Sequence, residues 1–253
     1  MTGPLPPWPD RPALFLDFDG TLLELAPEPH LVRPSPELTA LLPALRPATD
    51  DAVALVSGRR IEEIDRILAP HRFAAAGVHG LERRDAAGAT LRMQVNERGL
   101  ARVRAALAPF VAGHAGLLLE DKVRTIAIHY RRRPDLADEV RRVVASLEPL
   151  PPDLELLPGR MVFEIKPRAA DKGRAIAAFT QEPPFRGRTP VFVGDDVTDE
   201  AGFAVVNALG GVTVKVSDGA TAARFRLRGV RAVLDWLERA IAPASVRRSR
   251  SAR

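Results

Sequence analysis

Asp17 and Asp19, in the run Asp17-Phe18-Asp19-Gly20-Thr21-Leu22, are the residues of this chain best spaced for joint chemistry. Side chains two apart in an extended segment point the same way, so both carboxylates can face one cavity. One aspartate can attack phosphorus and form an acyl phosphate. A second carboxyl beside it can protonate the leaving oxygen and then deprotonate the attacking water. Gly20 permits the sharp turn that lets the chain clear a phosphate. An acidic turn after a strand is the plainer reading of Asp-x-Asp alone; the full hexad at a strand end weighs against it.

A second acidic run, Gly194-Asp195-Asp196-Val197-Thr198-Asp199-Glu200, also follows an apolar stretch. So many acids in so short a segment repel one another unless they are solvated or share a cation. Magnesium prefers oxygen ligands in octahedral geometry, so Asp17 and one acid of this run are natural direct ligands. A helix start with acids in its first turn is compatible with that role. Ser57 after its strand offers a hydroxyl donor, and Lys172 in Asp171-Lys172-Gly173 offers a cation at a helix start. Either alone is weak. Their order (carboxylate pair, serine, lysine, acid run) makes the set specific for a phosphate site. Arg59 could contact phosphate or pair with the acids, and His79 reads as a structural loop histidine.

These residues need strands that end at one edge. Apolar runs at 13–18, 52–56, 73–78, 190–193 and 212–216 read as strands, and 61–68, 172–179 and 232–241 as helices. Strands alternating with helices imply an α/β fold, a parallel sheet covered on both faces. Such sheets place their ligands just beyond the strand ends. The middle has another rhythm: helices at about 96–112 and 136–147, strands at 117–120, 125–130, 154–157 and 162–165. This αββαββ order suits an antiparallel sheet with helices on one face. Residues 96–167 are expected to form an inserted α+β cap domain, and 1–95 with 168–253 the core.

Composition narrows the classes. Nearly half of the 253 residues are apolar, enough for a substantial core, and no apolar run approaches the roughly 18 residues of a membrane span. The opening residues have neither the basic nor the apolar region of a signal peptide. With no cysteine, thiolate catalysis, thiolate metal sites and disulfides are excluded. A cytoplasmic protein is expected. The net charge of +5 comes largely from the stretch after Ser245, with Arg247, Arg248, Arg250 and Arg253. Residues 245–253 are expected to be a flexible, solvated basic tail. Aromatic residues are sparse and no nucleic-acid-binding motif is visible, so neither nucleic acid nor membrane is an expected partner.

The four segments resemble the motifs of the haloacid-dehalogenase (HAD) superfamily, matched by Asp17 and Asp19, Ser57, Lys172, and Asp195 with Asp199. The resemblance narrows to the trehalose-6-phosphate phosphatase family and covers nearly the whole chain. Its carriers are DFDGTLLELAPEP, VSGR, GVHG, LLEDKVRTIAIHYR, FEIKPRAADKG and GDDVTDEAGFAVVNALGG. It implies a Rossmann-like HAD core, the larger cap type and magnesium-dependent hydrolysis of trehalose 6-phosphate through an aspartyl phosphate. By resemblance, Asp17 is the nucleophile and Asp19 the general acid and base. Asp17, the backbone carbonyl of Asp19, and Asp195 hold Mg2+, while Asp196 and Asp199 orient metal-bound waters or Lys172. Ser57 and Lys172 hold the phosphoryl oxygens. Gly20 and Arg59 in the core, and Glu120, Lys122, His129, Arg131, Glu164 and Lys166 in the insert, contact substrate. Pairing with a trehalose-6-phosphate synthase is a further expectation. Rival readings are a HAD phosphatase for another sugar phosphate, such as sucrose 6-phosphate, and a catalytically silent regulatory domain.

Overall fold

The computed structural model describes residues 4–26, 28–159 and 161–242; the basic tail lies outside them. The chain divides into two compact units, residues 1–91 with 172–253, and residues 92–171.

The larger unit is built on an eight-stranded sheet. Its first part contributes β1 (Pro12–Leu16), α1 (Pro36–Ala48), β2 (Val53–Val56), α2 (Ile61–Leu68), β3 (Ala74–Gly77), β4 (Glu82–Arg84) and β5 (Thr90–Arg92). From the smaller unit come α3 (Glu97–Ala112), β6 (Leu118–Asp121), β7 (Ile126–His129), α4 (Ala137–Ala145), β8 (Leu154–Gly159) and β9 (Val162–Pro167). The chain then completes the larger unit with α5 (Lys172–Thr180), β10 (Thr189–Gly194), α6 (Glu200–Ala208), β11 (Val212–Val216), β12 (Phe225–Leu227) and α7 (Val230–Ile241).

The strand order is β12-β11-β10-β1-β2-β3-β4-β5. Strands from β12 to β3 are mutually parallel, and β4 returns antiparallel to β3. Side-chain alternation splits the core across this sheet. Leu14 and Leu16 of β1, with Val191 and Val193 of β10, pack with α1, α2 and α7 on one face. Phe15 and Phe192 point oppositely and pack with Phe179 of α5 and Phe203 of α6. A strand buried on both faces must be apolar throughout, which is why these runs are continuous rather than alternating. Each such Leu or Phe buried stabilises the fold by roughly 1.5–3 kcal/mol.

α1 forms although Pro43 and Pro47 lie inside it. A mid-helix proline deletes a hydrogen bond and crowds the preceding turn. Tertiary packing overrides that penalty here: Leu38, Leu41, Leu42 and Leu45 are all buried on one face of α1. Ser35 caps the helix by accepting from the Leu38 amide at 3.2 Å, and Pro36 follows in the first turn.

In the smaller unit the sheet order is β6-β7-β9-β8, antiparallel throughout. Ile126, Ile128, Phe163, Ile165 and Leu154 pack with Leu100, Val103 and Leu107 of α3 and Val140 and Val144 of α4. Its other face carries charged side chains. The α/β class, a mostly parallel sheet plus a small antiparallel one, is therefore borne out. Among the described residues no helix is long and apolar enough to cross a membrane.

Candidate active site

Three adjacent strands, β10-β1-β2, deliver expected core residues to one edge of the sheet. Asp17 directly follows β1, and its amide donates to the Val193 carbonyl of β10 at 2.9 Å. Ser57 follows β2, and Asp195 follows β10. Because all three strands run parallel, their carboxyl ends lie together, and the polar residues there need no further device to converge.

Lys172, the first residue of α5, lies between two carboxylates. Its Nζ donates to Asp17 Oδ1 and to Asp199 Oδ1, each at 2.7 Å, and all three residues are buried. Burial pulls the ammonium's pKa down, but Asp17 and Asp199 outweigh it and hold the lysine charged. The Asp17 carboxyl is pushed well above the ordinary 3.8, first by burial and then by Asp199, with Lys172 opposing. Asp195 is pushed up to about 6 by burial and by Asp199. Three carboxylates thus crowd a site whose local cations do not fully offset them.

Asp199 is committed to bracing. Its Oδ2 accepts from the Asp195 and Asp196 amides, both at 2.9 Å, so it ties the acid run into a turn ahead of α6. Lys215 on β11 donates to the Asp195 backbone carbonyl, and Thr21 Oγ1 lies 3.4 Å from Asp195 Oδ1. Gly20 has φ +80°, and a Cβ there would stand 2.2 Å from Asp195 Oδ2. Only glycine lets the two acidic loops meet this closely.

One oxygen each from Asp17, Asp195 and Asp199 fall within 4.8 Å of one another. All donors are hard oxygens, and among the described residues no histidine or sulfur joins them, so the set suits a divalent cation of the magnesium or calcium type. Asp17 and Asp195 are the better ligands of the three, because Asp199 already accepts from Lys172 and two amides.

Asp19 points to Arg59, whose Nε and Nη2 each reach one of its carboxylate oxygens at 2.6 Å. The Arg59 amide donates to Ser57 Oγ at 3.1 Å, so the serine and the guanidinium share one tight loop. His79 is buried in the turn after β3, and its amide donates to the Ser57 carbonyl at 3.0 Å.

Four of the residues expected from the insert, Glu120, Lys122, His129 and Glu164, form their own group on the polar face of the smaller sheet. Register aligns Glu120, Ala127, Glu164 and Leu157 across β6, β7, β9 and β8. His129 Nε2 shares a 2.7 Å hydrogen bond with Glu120 Oε2. Lys122 Nζ stands 3.4 Å from Glu164 and 3.9 Å from Glu120. Glu164 Oε1 also accepts from Thr125 Oγ1 at 2.6 Å. Burial raises the Glu120 pKa, but His129 and Lys122 outweigh it, and the net shift is downward. Lys166 turns instead to Glu155 and the Ala170 carbonyl, at 2.5 and 2.7 Å. Arg131 lies half-buried in the turn after β7.

Lys215 and Thr21 escaped the sequence reading. The signal for Lys215 was present, a lysine inside the apolar strand Val212-Thr213-Val214-Lys215-Val216, since a buried lysine needs a partner.

Comparison with known proteins gives a consistent result. A family model described as trehalose-phosphatase matches residues 15–231. The chain is 45% identical over 241 residues to the trehalose-6-phosphate phosphatase of Escherichia coli K12, covering 94% of this chain and 91% of that protein. It is 41% identical to a Sinorhizobium fredii protein named "Probable trehalose-phosphate phosphatase", covering 90% and 89% of the two. The solved C-terminal domain of a Candida albicans trehalose-6-phosphate phosphatase superposes with a TM-score of 0.82 at 21% identity, covering 91% and 92%, a likeness of fold.

Proposed function

The chain belongs to the trehalose-phosphatase family, and we propose that it hydrolyses trehalose 6-phosphate to trehalose and inorganic phosphate by a two-step transfer through Asp17. The observation that carries the mechanism is the buried Asp17–Lys172–Asp199 cluster, with Asp19 two residues from the nucleophile.

In the first step an Asp17 carboxylate oxygen attacks phosphorus, and the bond from phosphorus to the sugar oxygen breaks. The Asp19 carboxyl hands its proton to that oxygen, so trehalose leaves neutral. In the second step Asp19, now a carboxylate, takes a proton from water while the water oxygen attacks phosphorus. The bond to Asp17 breaks, phosphate departs and both aspartates return to their starting forms. Ser57 and Lys172 present a hydroxyl and a cation to the phosphoryl oxygens as charge develops on them. Held by Asp17, Asp195 and the Asp19 carbonyl, magnesium would supply Lewis-acid neutralisation of the phosphoryl group. Asp196 and Asp199 orient the surroundings of that ion, Asp199 through Lys172.

The smaller unit is the proposed cap. Glu120, Lys122, His129 and Glu164 offer alternating acceptors and donors, which suit an uncharged, hydroxyl-rich disaccharide. Arg131 and Lys166 are assigned to the same surface, Gly20 to substrate contact beside Asp17, and Arg59 to holding Asp19. A cytoplasmic location and a trehalose-6-phosphate synthase as the source of substrate complete the reading.

The decisive measurement is phosphate release from trehalose 6-phosphate, sucrose 6-phosphate and glucose 6-phosphate, with magnesium and after chelation. Magnesium-dependent turnover that favours the first substrate, and vanishes in Asp17→Asn, is expected. Equal turnover of all three sugars, or an active Asp17→Asn enzyme, would refute the reading.

A further inference from the structure

The carboxylate that handles protons in this mechanism is gripped by the protein. Arg59 meets Asp19 through two bonds of 2.6 Å, one to each oxygen. Two bonds between planar groups fix the plane of the carboxylate as well as its position, which a lysine ammonium cannot do. The guanidinium side chain is 9% exposed and that of Asp19 28%, so the pair is rooted in the protein with the acid at its open end. A carboxylate has about four lone-pair sites. The guanidinium takes two and leaves the others for the transferred proton.

Arg59 is itself held from behind. Its carbonyl accepts from the Val78 amide at 2.8 Å, and the Ser57 carbonyl from the His79 amide at 3.0 Å. Gly58 lies against the His79 ring, where a Cβ would come within 2.8 Å of Cε1. Val78 and His79 both adopt positive φ, 49° and 55°. For a β-branched residue this is a true outlier. Such backbone persists only where the surroundings over-determine it. Here the strained pair aims two consecutive amides at the loop that carries Ser57 and Arg59.

We propose that Arg59 is a positioning residue for Asp19. It holds the acid-base carboxylate in the orientation from which it serves the leaving oxygen and then the water, and it does not bind the phosphoryl group or the sugar. This rests on the reading of Asp19 as acid and base. Phosphoryl binding falls to Ser57 and Lys172, and the loop that presents Ser57 aims the guanidinium as well.

A double-mutant cycle of Arg59→Met and Asp19→Asn tests it, in the full chain with magnesium, on 4-nitrophenyl phosphate and trehalose 6-phosphate. Misplacing a reacting group by about 1 Å costs on the order of 100-fold, so Arg59→Met should lower kcat by about that factor. KM and inhibition by inorganic phosphate should stay within about threefold, and in the Asp19→Asn background the second substitution should cost less than about threefold. Arg59→Lys, which keeps the charge without the fork, should also lose kcat, and it carries the same cycle if Arg59→Met does not fold. An equal loss in the Asp19→Asn background, or a tenfold weaker phosphate inhibition with kcat kept, would overturn the proposal. An Asp19→Asn enzyme as fast as wild type would instead sink the acid-base reading itself, whatever Arg59 does.

Discussion

Lys172, which is buried, and Glu120, which is half-buried, solve the same problem in opposite senses, since each is kept ionised by partners that outweigh burial. Removing one member of such a group leaves the others uncompensated, which costs more than the group contributes intact. At the polar face of the smaller unit this gives a prediction. Glu120→Ala removes an acceptor from His129 and Lys122. If that face binds the sugar, kcat/KM for trehalose 6-phosphate should fall about 10- to 150-fold, the equivalent of roughly 1.5–3 kcal/mol. Turnover of 4-nitrophenyl phosphate should barely change, and Glu120→Gln should recover part of the loss. Parallel losses on both substrates would assign Glu120 to holding the unit together. The types and order of the core residues could be read from the sequence, because hexads such as Asp17–Leu22 sit at strand ends. Partner choice could not. Arg59 had either phosphate or the acids within its range, and only the folded loop brings it to Asp19.

Among the elements, the parallel strands were legible because burial on both faces makes them continuous apolar runs. α1 was not, since local chain chemistry argues against a helix through Pro43 and only its packed leucine face argues for one. The three-residue strands β4, β5 and β12 carry too little pattern to be read alone. The turn after β1 depends on a single residue for both conformation and space. Gly20→Ala would require positive φ at a side-chain-bearing residue and would drive Asp195 away. The conformational part alone should cost about 1–3 kcal/mol. Lower thermal stability is therefore expected, together with a higher magnesium concentration for half-activation. Loss of stability with unchanged magnesium dependence would show that the turn and the acid run are not coupled.

Across the whole molecule, the acid cluster links pH, metal and stability. The pKa of Asp195 rises from the ordinary 3.8 to about 6, and that of Asp17 rises too. A carboxyl whose folded pKa lies above its unfolded one contributes stability that is present below the unfolded value and lost as pH rises through the folded value. The metal-free protein should therefore lose stability between about pH 4 and pH 6 from this cluster. A divalent cation binds the deprotonated form, so the rise in Tm on adding magnesium should be larger at pH 7.5 than at pH 5. Calorimetry at the two values checks this, and equal increments would mean that the cluster is not where the ion acts. The central placement of β1 also shapes the life of the chain before any catalysis. β1 pairs with β2 on one side and with β10 on the other, and β10 begins at Thr189. A nascent chain that has not yet released β10 exposes the edge of an entirely apolar strand. Such an edge invites pairing with other chains, and contacts this distant in sequence form slowly. The strand that carries the nucleophile is thus the one that must wait longest on the ribosome for its second neighbour.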